Sequence, residues 1–429
     1  MPTPSWQLSR LMTPGRRFIP EVDGLRFIAI ASVVLFHLNE YVLVKQMAGA
    51  TIGPIESWLS RMFSIGHYGV ELFFVLSGFI LAMPFAKWRL GLGAKPALRK
   101  YFLRRLTRLE PPYIVLMILI FIGGLFALGL KDGLSHWPNL LVSLLYQHNL
   151  VFGQPSLVTV VAWTLEIEVQ FYCLAPVLTA MFSIPNVLAR RGSFLLIMIG
   201  LPFLRSFISP SVAYRFNSLP WHLEFFIAGF LLADVFLLDL REAPIRSFGW
   251  DLLSLAAWPT LVILMLWGHL HILIAPVIFL AYVGAFKGKA SSWALSRPLI
   301  TTIGGMCYSM YLLHYTVISM TGRFLTRIHL GSSFVTRFGL DAVVEIPLIL
   351  AITAVVFVFL ERPCMDPMWL AKVNTRILSW RLGLSDPESV ILLRQMMTRK
   401  GPLGRWQRLH SVFSDMARRI RESLVRTAP

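Results

Sequence analysis

The chain has 429 residues, of which 56% are hydrophobic and 14% charged, and its mean hydropathy is +0.66. That balance excludes an ordinary soluble globular protein and defines a polytopic membrane protein. The net charge of +18 does not indicate nucleic acid: Lys and Arg gather between apolar runs and in the C-terminal tail, as membrane topology and an anionic cytoplasmic ligand require.

Residues 1–24 form a cytoplasmic N-terminal segment carrying Arg10, Arg16 and Arg17. The apolar run that follows is long for a signal-peptide core and has no evident small-residue cleavage site, so it reads as a retained anchor with its N-terminus inside. About ten membrane-spanning helices are expected, near 25–44, 67–86, 109–130, 158–182, 193–209, 221–240, 252–268, 271–287, 298–321 and 339–360. They make one all-α bundle over 25–363 with both termini cytoplasmic, followed by a basic tail over 364–429. The basic loops then fall inside, and the tail has the spacing of a surface-lying amphipathic helix that touches membrane lipids.

The first span carries Arg26 near its start and His37 within it. Eleven residues are close to three helical turns, so both side chains share a face, roughly 16 Å apart along the axis. Ionisable groups inside a membrane helix are costly and mark functional sites by default; the structural alternative is a snorkelling arginine and a hydrogen-bonded bundle histidine. On the second span, Ser77 and Gly78 are small residues suited to a close helix crossing.

Before the third span, Arg104, Arg105 and Arg108 stand at the cytoplasmic edge. Guanidinium forks at i, i+3 can hold phosphate oxygens bidentately; topogenic arginines are the plain alternative. With no P-loop and no Gly-rich dinucleotide turn, arginines would have to hold any nucleotide-bearing ligand.

The fourth span contains Trp163, Glu166 and Glu168. The two glutamates point to nearly opposite sides and should not share a role. Glu168 and His37 both fall near the midplane, where a base and its partner could meet. Tyr308, Tyr311 and His314 place polar tips in the outer half of the ninth span, and the outer loops add His148 and Arg215 as groups suited to a sugar. Cys173, Cys307 and Cys364 offer neither a disulfide framework nor metal-ligand spacing, so no metal is expected.

Taken together, the Arg26–His37 pair, G-V-E-L-F-F-V-L-S-G-F at 69–79, R-x-x-R at Arg105 and Arg108, W-T-L-E-I-E-V-Q-F-Y at 163–172, Y-S-M-Y-L-L-H at 308–314 and the closing Glu361-Arg-Pro363 resemble the acyltransferase-3 family. The resemblance implies ten core helices in the inner membrane, acetyl-CoA or another acyl-CoA as cytoplasmic co-substrate, and a cell-surface glycan or lipid-linked saccharide as acceptor. It places Arg26 and His37 in the family's essential pair, Arg105 and Arg108 in its donor-side motif, and Glu168 as the carboxylate of its fourth-helix motif. Glu166 stands where a small residue is usual, and Val169 where a second acid is common. Many relatives carry a fused periplasmic SGNH-type domain; this chain is expected to act alone or with a separate periplasmic partner.

His37 is expected to be neutral and either to deprotonate a sugar hydroxyl or to carry the acyl group itself. The rival readings are a transporter or flippase for a lipid-linked saccharide, with the intramembrane charges lining its path, and a membrane glycosyltransferase or polymerase with Glu168 as base.

Overall fold

The computed structural model describes residues 18–48, 52–128, 135–205, 218–240, 245–268, 270–328 and 333–366, with a few isolated positions beyond them. The chain divides into two units, Met1–Arg362 and Pro363–Pro429; the basic-tail expectation falls almost entirely outside the described residues.

The first unit is helical, and no strand forms among its described residues. Its elements are α1 (Pro20–Tyr41), α2 (Pro54–Ser64), α3 (Gly69–Arg89), α4 (Leu98–Leu128), α5 (Trp137–Leu144), α6 (His148–Phe152), α7 (Trp163–Leu178), α8 (Val187–Arg205), α9 (Leu223–Leu238), α10 (Gly249–Trp267), α11 (Ile274–Lys287), α12 (Lys289–Leu295), α13 (Pro298–Gly305), α14 (Cys307–Leu325) and α15 (Phe334–Val356). Local sequence sets several of the boundaries. Pro20 opens α1, with Glu21 and Asp23 in the first turn against the positive end of the helix dipole. Ser333 caps α15 by accepting from Thr336 N at 3.2 Å. Gly268 ends α10 at φ 68°, a left-handed conformation that favours glycine.

Among the described residues, seven helical stretches are long and apolar enough to cross a membrane: Pro20–Gln46, Pro54–Arg89, Leu98–Phe126, Val160–Ser183, Val187–Arg205, Gly249–Trp267 and Phe334–Cys364. The other three expected spans are helical too, but short or broken. α9 has 16 residues and α11 has 14, while the ninth expected span is interrupted at Met306, between α13 and α14. A 16-residue helix reaches about 24 Å, less than the roughly 30 Å of a hydrocarbon core. α9 tolerates this because it is central, with every residue from Glu224 to Asp234 buried by protein.

α3 and α9 cross closely. A Cβ on Gly78 would meet the Phe226 backbone, and one on Gly229 would meet Val75 O and Phe79 N, so the two backbones touch only because both positions lack side chains. At the other extreme, α4 turns Ile118, Leu119, Ile122 and Phe126 outward, an apolar surface for lipid.

α4 also corrects the reading of its basic segment. Arg104, Arg105 and Arg108 lie within the helix, which begins at Leu98 and runs through Pro111 and Pro112. At 31 residues it outlasts the hydrocarbon core, so its first turns can stand clear of the apolar region and carry charge.

Candidate functional site

A cavity of about 400 Å³ opens among α1, α3, α4, α7 and α14. Its mouth is basic, with Lys100 and Arg104 exposed and Arg105 and Arg108 half-buried one turn further along α4. Its wall is apolar, built by Val70, Phe73, Phe74 and Ile80 of α3. Arg26 and Glu168 both line it.

Each charged group is held. Arg26 pairs with the buried Asp23 three residues earlier on α1. Glu168 accepts from Ser77 Oγ at 2.6 Å and from the Tyr172 hydroxyl one turn along α7. The Arg105 guanidinium lies 5.0 Å from the ring centroids of both Tyr101 and Tyr172, and its Nε is buried without a hydrogen-bond partner. Two aromatic faces thus hold the cation in place. Glu361, in a π-helical turn over Phe357–Glu361, also lines the cavity and accepts from Ser309 N at 3.1 Å and Ser309 Oγ at 2.6 Å.

His37 stands apart from the cavity lining. Its ring centroid lies 5.1 Å from His314 and 5.1 Å from Tyr315, and among the described residues no hydrogen bond engages its nitrogens. His314 is wholly buried, with Nδ1 3.1 Å from Met310 O. A carbonyl only accepts, so Nδ1 carries the proton and Nε2 presents a lone pair. Tyr311 joins the two places: it lines the cavity, its hydroxyl accepts from Thr164 Oγ1 at 2.8 Å and donates to Val161 O at 3.2 Å, and its ring lies 5.7 Å from His314.

The structure therefore brings Arg26, Glu168, Arg104, Arg105, Arg108 and Tyr311 to one cavity, and His37 to His314. It does not pair Glu168 with His37. Trp163 packs on His222, with centroids 5.5 Å apart, and is not among the cavity-lining residues. His148 departs from its reading as a sugar-binding loop group: it is buried, with Nδ1 2.9 Å from Gln154 O and Nε2 2.8 Å from Asn139 Oδ1, so both nitrogens are spent within the protein. Burial lowers its pKa from the ordinary histidine value. Glu166 anchors the same loop by accepting from Asn149 N at 2.9 Å, a role distinct from that of Glu168. Arg215 lies outside the described residues.

Sequence reasoning missed Tyr101, Tyr172 and the bond from Ser77, which had read as packing alone. The signal was present: Tyr101 precedes Arg105 by four residues and Tyr172 follows Glu168 by four, the spacing that places side chains on one helix face.

Fold and site together define an integral membrane protein with a basic-mouthed cavity and, apart from its lining, an imidazole pair. The family model described as "Acyltransferase domain" matches residues 19–362, and the chain belongs to this acyltransferase-3 family. It is similar to the peptidoglycan O-acetyltransferase OatA of Listeria monocytogenes, with 24% identity over 349 residues, 73% of this chain and 51% of the relative. It is also similar to the O-acetyltransferase OatA of Staphylococcus aureus, with 25% identity over 344 residues, 73% of this chain and 52% of the relative. The chain thus matches about half the length of these curated relatives. No solved structure matches.

Proposed function

We propose that the chain is an inner-membrane O-acyltransferase that moves an acetyl group from acetyl-CoA, taken from the cytoplasm, to a hydroxyl of a cell-surface glycan or lipid-linked saccharide. The observation that carries this reading is the cavity itself, which sets four basic side chains at its mouth and Arg26 and Glu168 in its depth. Its volume falls within the roughly 300–1,000 Å³ of small-molecule sites. The phosphates of the donor pair with Arg105, Arg108 and their basic neighbours, and the pantetheine arm follows the apolar wall of α3 towards Tyr311. The likeness to a peptidoglycan O-acetyltransferase supports a glycan hydroxyl as acceptor.

His37 supplies the chemistry. As general base it takes the hydroxyl proton while the oxygen attacks the thioester carbonyl; the C–S bond breaks, and the CoA thiolate leaves with that proton. As nucleophile its imidazole first forms an acyl-imidazole with loss of CoA, and the acceptor hydroxyl then attacks it, restoring the imidazole. Both routes need an unprotonated ring nitrogen. Arg26 and Glu168 steady the charge of the thioester end.

The test is CoA release from acetyl-CoA by purified protein given a panel of bacterial glycans. We expect release that depends on the glycan and falls about 100-fold or more in His37→Ala, the scale of lost acid–base catalysis. A His37→Ala protein that acetylates at the wild-type rate would overturn the assignment. Glycan movement across a membrane without thioester consumption would favour transport instead.

A further inference from the structure

The bundle carries a second basic feature, which the transfer chemistry does not use. It is a corner on the surface, built from the start of α10, the end of α11 and the short α12. Ser247 N donates to Lys287 O at 3.0 Å. Asp251 accepts from Ala290 N at 3.0 Å and from Ser291 N and Oγ at 2.8 Å each, so two stretches 40 residues apart close on one another. Glu21, buried in the first turn of α1, accepts from Ser292 Oγ at 2.6 Å and pairs with Arg246. The corner is thereby tied to one end of α1.

Three cations stand on this corner, each over an aromatic ring. Lys287 Nζ lies 3.5 Å from the Trp250 ring centroid, the Arg297 guanidinium carbon 3.4 Å from that of Trp293, and Lys289 Nζ 4.9 Å from that of Phe248. Among the described residues no carboxylate pairs with any of the three, because Asp251 is spent on Ala290 and Ser291, and Glu21 on Arg246 and Ser292. None of the three lines the basic cavity. Phe248 and Trp293 are exposed, and the exposed apolar surface runs on through Leu252 and Leu255 of α10, a stretch long and apolar enough to cross a membrane. Aromatic rings of this kind sit where hydrocarbon chains give way to headgroups. A cation held over a ring face keeps its other side free for a phosphate. A small aqueous anion would meet only the charges, and a soluble protein partner would have to cover Leu252 and Leu255 at the depth of the lipid chains.

We propose that this corner binds an anionic phospholipid from the leaflet at the Glu21 end of α1, with the headgroup phosphate against Lys287, Lys289 and Arg297 and the chains along Leu252 and Leu255. The proposal does not depend on the acyltransferase reading.

The test is native mass spectrometry of the full chain in detergent micelles titrated with phosphatidylglycerol or phosphatidylcholine. Wild type is compared with the triple variant Lys287→Gln, Lys289→Gln, Arg297→Gln, and with a control triple variant, Lys45→Gln, Arg323→Gln, Arg327→Gln, which removes the same charge from exposed positions beyond the other end of α1. Each basic residue near an anionic lipid surface contributes about fivefold in binding. The corner variant should therefore hold phosphatidylglycerol at least about tenfold more weakly, while the control variant, phosphatidylcholine binding and acetyl-CoA affinity stay as in wild type. Glycerol 3-phosphate, which has the headgroup chemistry without chains, should not displace the lipid. Trp293→Ala with Arg297→Gln gives the same comparison if the triple variant does not fold. Phosphatidylglycerol affinity within threefold of wild type in the corner variants, an equal loss in the control variant, or no preference over phosphatidylcholine would overturn the proposal. Displacement by glycerol 3-phosphate would replace the lipid with a soluble anion and overturn it as well.

Discussion

Arg105→Lys separates a positioned guanidinium from a mere positive charge. In the structure the Arg105 head lies 5.0 Å from two aromatic centroids, Tyr101 and Tyr172, and keeps a buried Nε without a partner. Each ring contact contributes about 0.5–1 kcal/mol, so the pair holds about 1–2 kcal/mol. A charge-assisted bond from the planar fork to a phosphate contributes about 1.5–3 kcal/mol, and lysine, a point charge on a flexible stem, keeps only part of it. A net loss of about 2–3 kcal/mol weakens acetyl-CoA binding roughly 30- to 150-fold. Isothermal titration of acetyl-CoA into the nanodisc-embedded variant reads this directly, with the melting temperature as a control for folding. Affinity within about threefold of wild type, less than 1 kcal/mol, would refute the claim that Arg105 is held for an anion.

Ser77→Ala removes the 2.6 Å donor to Glu168 and should slow CoA release about tenfold, consistent with a loss of about 1–3 kcal/mol at a buried carboxylate; an unchanged rate would make that bond incidental. Gly229→Ala forces a methyl against the Val75 carbonyl and should destabilise the bundle by about 1–3 kcal/mol, read as a lower melting temperature. Gly124→Ala, where a Cβ meets open space within α4, should hold or raise it. Burial lowers the His148 pKa in the folded loop, so on acidification the unfolded chain, which gains a proton below about pH 6.5, takes it up before the folded loop does. The unfolded state therefore binds more protons there, and stability falls as pH drops below about 6.5. His148→Ala should flatten that dependence in thermal melts while leaving the acetyl-CoA affinity unchanged.

Arg26, Arg105, Arg108 and Glu168 could be assembled from sequence because charge inside an apolar helix is expensive and its axial depth follows from residue number. Depth does not fix which way a helix faces. His37 and Glu168 lie on helices that meet different neighbours: α1 turns His37 towards α14, while α7 turns Glu168 towards Ser77 of α3. His148 looked like an exposed sugar contact because loops are generally polar and solvated; only the fold shows the Gln154 carbonyl and the Asn139 side-chain amide set against its two ring nitrogens. The span expected near 221–240 is present as α9 but shorter than bilayer thickness asks, since a helix surrounded by protein need not match lipid. Asp341 and Glu345 could have been noticed as paired intramembrane acids at i, i+4, but that Asp341 is met by Gln46 while neither Glu345 oxygen is met is a property of packing alone.

The central claim is acyl transfer from a donor bound at the basic end of the bundle to an acceptor bound at the other. Proteoliposomes of fixed protein orientation, with labelled acetyl-CoA on one side and glycan on the other, test it most directly. The account predicts labelled glycan and free CoA only when acetyl-CoA is on the Arg105 side, and neither product with His37→Ala. Labelled glycan formed with acetyl-CoA on the opposite side, or formed equally by His37→Ala, would contradict it.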